Sequence, residues 1–326
     1  MARKLLVLVL IGMVFWTGCM GQKPVEEKKV KIGLVLATGG LGDKSFNDSC
    51  FAGAKKAEKE LGIELSYVEP TAIAEYEGHL REYAKSDEYA LIISIGFDQA
   101  DALTTVAKEY PNQNFAIVDM VVDLPNVANF VFRENEGSFL VGAVAAMTTK
   151  TNKIGFVGGM DIPLINKFLA GYKAGAKAVN PNIDIMVAFV GGWADPAKAK
   201  ELALTQYGSG ADIIFQAAGR SGLGVIEAAK EKNLFAIGVD SDQRHLAPEN
   251  VITSMVKRVD VAVFNVIESV VKGAFKGGIN SLGVKEGGVG AVLDNNPGII
   301  TEAIKTKIHE LEQKVAAGEI TVPETP

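Results

Sequence analysis

Strand-like and helix-like segments alternate from Val30 onward, and near Lys153 the alternation starts again with echoes of the first pass. Phe51-Ala52-Gly53-Ala54-Lys55-Lys56-Ala57 is answered by Phe168-Leu169-Ala170-Gly171-Tyr172-Lys173-Ala174. Ala90-Leu91-Ile92-Ile93-Ser94-Ile95-Gly96 is answered by Ala211-Asp212-Ile213-Ile214-Phe215-Gln216-Ala217, and Phe115-Ala116-Ile117-Val118-Asp119 by Phe235-Ala236-Ile237-Gly238-Val239-Asp240. The echoes keep their order and similar offsets, as a diverged repeat does, although any two doubly wound halves share part of such a pattern. Either origin leads to an α/β chain of two lobes of similar plan, each built on a mostly parallel sheet.

Short apolar runs bounded by turn residues predict strands over 30–36, 63–68, 91–95, 115–118 and 127–132, with helices over 45–61, 74–85, 97–109 and 136–149. The second pass predicts strands over 153–157, 185–189, 213–216 and 235–239, and helices over 162–179, 195–207 and 222–232. Beyond the repeat, 252–256 reads as a strand. The apolar stretch 259–275 reads as a buried crossover helix, because Asp260, Asn265, Glu268 and Lys272 interrupt it too often for a membrane span. The tail 300–317 reads as an amphipathic surface helix.

Open α/β sheets bind ligands at the carboxyl ends of their strands. The first such loop is Gly39-Gly40-Leu41-Gly42-Asp43-Lys44-Ser45-Phe46-Asn47-Asp48. Ser45 is the expected N-cap of the following helix, with Asp48 three positions on. Phe46 then stands at the helix start, facing either a cleft or the core. Two phosphate-binding readings fail. A P-loop needs glycine before Lys44-Ser45, where Asp43 stands, and a dinucleotide fingerprint needs a third, glycine-like residue where Ser45 stands. The loop suits an uncharged or cationic polar ligand. Asp119 and Asp240 each follow the fourth strand of their lobe, so both either cap local backbone or face a common cleft. Trp193, between Gly191-Gly192 and the helix start Asp195-Pro196, occupies another such loop. Gly219-Arg220-Ser221-Gly222 is a fourth.

The 326 residues allow two ordinary domains, and a net charge of −6 argues against a nucleic-acid partner. His79, His245 and His309 stand in unrelated contexts, so no metal, cofactor or Ser-His-Asp set is expected. At the N-terminus, Arg3-Lys4 precedes an apolar run, 5–15, shorter than the roughly 20 residues of a membrane span. Trp16-Thr17-Gly18-Cys19 follows and resembles a bacterial lipobox, with Trp16 where an aliphatic residue is usual. Residues 1–18 are therefore expected to be a signal peptide, Cys19 the lipidated residue and 19–29 a tether. Cys50 then has no intrachain partner and is expected to be a small buried apolar residue.

The lipobox, the Gly-Gly-x-Gly-Asp-x-Ser-Phe-Asn loop, Gly238-Val239-Asp240-Ser241-Asp242-Gln243 and Thr253-Ser254-Met255-Val256-Lys257-Arg258 together resemble the basic membrane protein family, lipoproteins of the PnrA type that bind purine nucleosides for ABC import. The resemblance spans the mature chain. It implies a type I periplasmic binding protein fold, two doubly wound parallel-sheet lobes joined by three crossovers. The N-terminal lobe would comprise 30–135 and 256–283, and the C-terminal lobe 136–255 and 284–322. It implies that Phe46 and Trp193 sandwich the base, that Asp119 reads the base edge, and that Asp240 takes the ribose hydroxyls with Lys257 nearby as a donor. Ser45, Asn47 and Gly219 would line the site. Ala37 stands where several relatives carry an acidic residue. A monomer is implied, anchored on the outer face of the cell membrane, with guanosine, inosine or adenosine as ligand and an ABC permease as partner. Two other readings of such a chain are a nucleoside-processing enzyme using the two carboxylates as acid and base, and a surface adhesin or sensor on the same fold.

Overall fold

The computed structural model describes residues 29–294 and 298–326, so the expected leader, Cys19 and most of the tether lie outside the described residues. The first pass of the chain forms β1 (Lys31–Val35), α1 (Phe46–Leu61), β2 (Glu64–Val68), α2 (Tyr76–Lys85), β3 (Tyr89–Ile95), α3 (Ala100–Glu109), β4 (Phe115–Val118) and β5 (Val127–Phe132). The second forms α4 (Glu134–Thr148), β6 (Lys153–Gly158), α5 (Pro163–Val179), β7 (Asp184–Phe189), α6 (Pro196–Gly208), β8 (Ile213–Ala217), α7 (Gly222–Lys232), β9 (Phe235–Asp240) and β10 (Val251–Lys257). Then come α8 (Val259–Val271), β11 (Gly278–Leu282), β12 (Val289–Ala291) and α9 (Glu302–Ala316).

Two six-stranded sheets result, in the orders β11-β5-β4-β3-β1-β2 and β12-β10-β9-β8-β6-β7. Every pairing is parallel except β12 against β10. This is the doubly wound, two-lobed plan expected from the alternation, with each sheet's order reversing between its first and third strands. Helices cover both faces. One apolar cluster lies under α2 and α3, a second under α6 and α7, and the largest runs continuously through both lobes. The near-continuous Val, Ile and Phe runs of the central strands follow from burial on both faces.

Close helix pairs hold the inner layer. A Cβ at Gly142 of α4 would lie 2.2 Å from Tyr172 O of α5, and one at Gly53 of α1 would lie 2.2 Å from Asp260 O of α8. These glycines let the backbones approach, and any side chain there would force the helices apart. α8 buries Val259, Ala262, Val263, Val266 and Ile267. It ends at Val271, four residues before the end expected from apolar content, because Gly273 adopts φ +65 and stops the helix.

The chain crosses between the lobes after β5, after β10 and after β11. Arg133 ties the first and third crossings together. Its Nε lies 2.6 Å from Glu136, its guanidinium also pairs with Glu286, and its N–H donates to Leu282 O at 2.9 Å. Arg258 N donates to Gly288 O at 2.8 Å and adds the second crossing to the same knot. The hinge is thus a narrow, hydrogen-bonded bundle of three segments.

Candidate functional site

The two sheets present the carboxyl ends of their strands to one cleft, whose empty space is about 670 Å³ with the open solvent at its mouth included. Phe46, Asn47, Asp119, Trp193, Gly219, Asp240 and Lys257 all line it, whereas Ser45 is fully buried, outside the lining, and bonds the lining residue Asp240 through its hydroxyl.

The glycine-rich loop uses its own backbone donors. Asp43, buried, accepts from the N–H groups of Ser45 (2.9 Å), Asn47 (2.8 Å) and Asp48 (3.1 Å). Asp48 accepts from Gly42 N and Lys44 N, Glu69 from Leu41 N, and Ala37 O from Gly40 N. A helix N-terminus is an anion site only while its N–H groups are free. Here Asp43 occupies it, so the N–H groups of Ser45, Asn47 and Asp48 are not free for a phosphate. The expected Ser45 cap is corrected by the same geometry. Ser45 makes no side-chain capping bond; Asp43 caps α1, and the Ser45 hydroxyl instead crosses the cleft to donate to Asp240.

That bond is one of several joining the lobes directly. Arg220 donates through Nη2 to Leu41 O, while Ser241 Oγ and Gln243 Nε2 both donate to Lys44 O at 2.9 Å. The conformation is closed, with the first loop clasped by the second lobe.

At the hinge side of the cleft lies a buried charged group. Lys257, the last residue of β10, places Nζ 2.6 Å from Asp119 Oδ2 and 3.7 Å from Glu134, the first residue of α4. It also interacts with Asp240. The expectation of Lys257 beside Asp240 therefore needs this addition: its direct hydrogen bond is to Asp119. Burial pushes the Lys257 ammonium down, but Asp119, Glu134 and Asp240 together outweigh it and raise its pKa. Burial pushes Asp240 up to about 6, against the pull of Lys257 and the Ser45 hydroxyl. Burial pushes Glu134 up to about 7, Lys257 pulling against it and Asp119 adding to it, and among the described residues neither Glu134 side-chain oxygen has a hydrogen-bond partner. Asp119 Oδ1 is likewise buried and, among the described residues, has no hydrogen-bond partner. Asp119 and Asp240 both adopt positive φ, +71 and +63, where non-glycine residues are uncommon. The matched strain at equivalent strand ends agrees with the repeat.

The remaining walls are aromatic. Lys257 Nζ lies 5.0 Å from the Phe46 ring centre and 5.5 Å from that of Phe168. Trp193 meets Phe97 edge-on, centroids 6.3 Å apart at 66°. A Cβ at Gly159 would fall 2.3 Å from the indole, so only glycine lets Trp193 lie over the end of β6. Among the described residues Phe46 and Trp193 make no ring contact with each other. Phe97, Asp98, Phe168 and Glu134 were not expected from the sequence. Asp98 carried the same signal as Asp119, a polar residue just past a strand end; Phe168 and Glu134 lie inside helical patterns and carried none. Cys50 is buried and free, its thiol raised by burial. No cluster of metal-ligating residues exists among the described residues, and no described helix is long and apolar enough to cross a membrane.

Residues 29–326 match the family described as ABC transporter substrate-binding protein PnrA-like. Basic membrane protein A of Borreliella burgdorferi is 38% identical, the alignment covering 98% of this chain and 96% of that one. The ABC transporter nucleoside-binding protein BmpA of Lactococcus lactis is 36% identical over 90% of this chain and 89% of its own. An ABC transporter solute-binding protein of Aeropyrum pernix superposes with a TM-score of 0.84 at 32% identity, covering 90% of this chain and 94% of that one. Binding proteins, not enzymes, make up this family, which removes the acid–base reading of the two carboxylates. The chain belongs to the PnrA-like substrate-binding proteins of ABC transporters.

Proposed function

We propose that the cleft captures purine nucleosides, guanosine, inosine or adenosine, and delivers them to an ABC permease, with the protein acting as a monomer held at the outer face of the cell membrane by a lipid on Cys19. The observation that carries this reading is the pairing of an aromatic wall with a buried carboxylate oxygen, Asp119 Oδ1, that has no donor. A nucleoside has both complements, a flat π face and a vicinal diol. Stacking contributes roughly 1–3 kcal/mol per base, and hydrogen bonds to a charged acceptor about 1.5–3 kcal/mol each.

The shared ammonium supports a division of labour different from the one the resemblance implied. Asp119 and Asp240 both interact with Lys257. We therefore assign Asp119, Asp240 and Lys257 together to the sugar hydroxyls, with Phe46, Phe97, Phe168 and Trp193 around the base. The consumed N–H groups of the first loop favour a nucleoside over a nucleotide.

Native mass spectrometry of the purified protein and thermal-shift assays with guanosine and guanosine monophosphate test this. Guanosine at a hundredfold excess over Kd should stabilise by about 2.7 kcal/mol, and the monophosphate should not. Equal shifts for both, or none for any purine nucleoside, would overturn the reading.

A further inference from the structure

We propose that Asp98 reads the edge of the base and biases the cleft toward guanosine and inosine over adenosine. This rests on the cleft being a nucleoside site. Gly96-Phe97-Asp98 leaves the end of β3, which pairs directly with β1, and Asp98 lines the cleft beside Ala37, Thr38 and Phe97. Phe97 in turn meets Trp193. Asp98 thus stands at the end of the cleft where Phe97 meets Trp193.

Its orientation is held. Tyr76 accepts from Thr38 N at 2.8 Å and so directs its single hydroxyl proton to Asp98 Oδ2, 3.2 Å away. The other oxygen, Oδ1, lies 3.0 Å from the point a Cβ on Gly96 would occupy, and the Ala37 methyl lies 3.3 Å from that same point. Gly96, at φ +106, is the residue type this turn requires.

Asp98 also differs electrostatically from the other cleft acids. Asp119 and Asp240 both interact with Lys257, whereas the groups acting on Asp98 are Tyr76, Thr38 and its own backbone. Among the described residues it forms no ion pair. Burial raises its pKa, and hydrogen bonds from Tyr76, its own backbone and Thr38 counter that.

A carboxylate only accepts hydrogen bonds. Guanine offers adjacent ring and exocyclic N–H donors, and hypoxanthine offers the ring N–H. Adenine offers an exocyclic amine beside a ring-nitrogen lone pair that a carboxylate repels. An asparagine in its place would both donate and accept, the pattern that matches an adenine edge.

Calorimetric titration of guanosine, inosine and adenosine against the wild type, Asp98→Asn and Asp98→Ala provides the test. The wild type should prefer guanosine to adenosine by about tenfold or more, one charge-assisted hydrogen bond. Asp98→Asn should bring that ratio to one or invert it, and Asp98→Ala should weaken guanosine while changing adenosine by less than about threefold. Loss of all three ligands by one common factor would mark a purely structural role and overturn the assignment. So would an unchanged ratio in a variant that still binds. Failure of the wild type to bind any of the three would instead overturn the nucleoside reading on which the assignment rests.

Discussion

Replacing Glu134 with glutamine should flatten the pH dependence of stability. Glu134 is fully buried at the hinge, with its nearest cation 3.7 Å away and already hydrogen-bonded to Asp119. Burial, opposed by Lys257 and reinforced by Asp119, raises its carboxyl from the ordinary 4.5 to about 7. A carboxyl whose folded value exceeds its unfolded value holds its proton more tightly when folded. Its contribution to stability is fully present below about pH 4.5 and is lost as the pH rises through about 7. At about 1.36 kcal/mol per pH unit, the difference is on the order of 3 kcal/mol. Glutamine keeps the shape and does not titrate. Urea unfolding of the unliganded protein at pH 5, 6, 7 and 8 should show the wild type losing stability across this range. Asp240, raised to about 6 by burial, supplies a residual slope in both proteins. The glutamine variant should lose less and should be the more stable protein at pH 8. Identical slopes in the two proteins would refute the claim that Glu134 is a buried acid at a desolvation cost.

Three further outcomes are expected. Trp193→Ala should weaken guanosine by a factor of about 5–150, the range set by one lost stack of roughly 1–3 kcal/mol, as read by calorimetry; unchanged affinity would remove the indole from the slot. Ser45→Ala deletes the cross-cleft bond to Asp240, so unliganded protein should show a larger scattering radius than wild type, and guanosine should restore it; an unaltered radius would mean the bond does not hold the lobes. Cys19→Ala should release the protein from the membrane fraction in cell fractionation, and retention there would contradict the lipid anchor.

The fold was readable because each strand buried on both faces leaves an apolar run and each helix a 3.6-residue period. Two strands escaped for the converse reason. β11, Gly-Ile-Asn-Ser-Leu, is an almost wholly exposed edge strand without alternation, and β12 is three residues beside two glycines. Ser45 misled because its type and position suit a cap, and only the fold reveals that Asp43 takes that role and frees the hydroxyl for the other lobe. Asp119, Asp240, Phe46 and Trp193 were legible from one topological rule, that strand ends face the cleft. The charge balance around them was not. It depends on Glu134 and Lys257, 123 positions apart by their numbers, meeting at the hinge where two crossings run side by side.

The most direct test of the central claim is calorimetric titration of guanosine and guanine against Asp119→Asn and Asp240→Asn, since guanine lacks the sugar. If both carboxylates serve the diol beside Lys257, each substitution should weaken guanosine far more than guanine. Equal losses for the two ligands in either variant would contradict the assignment of that carboxylate to the sugar, and equal losses in both would contradict the charged hinge cluster as the nucleoside's ribose site.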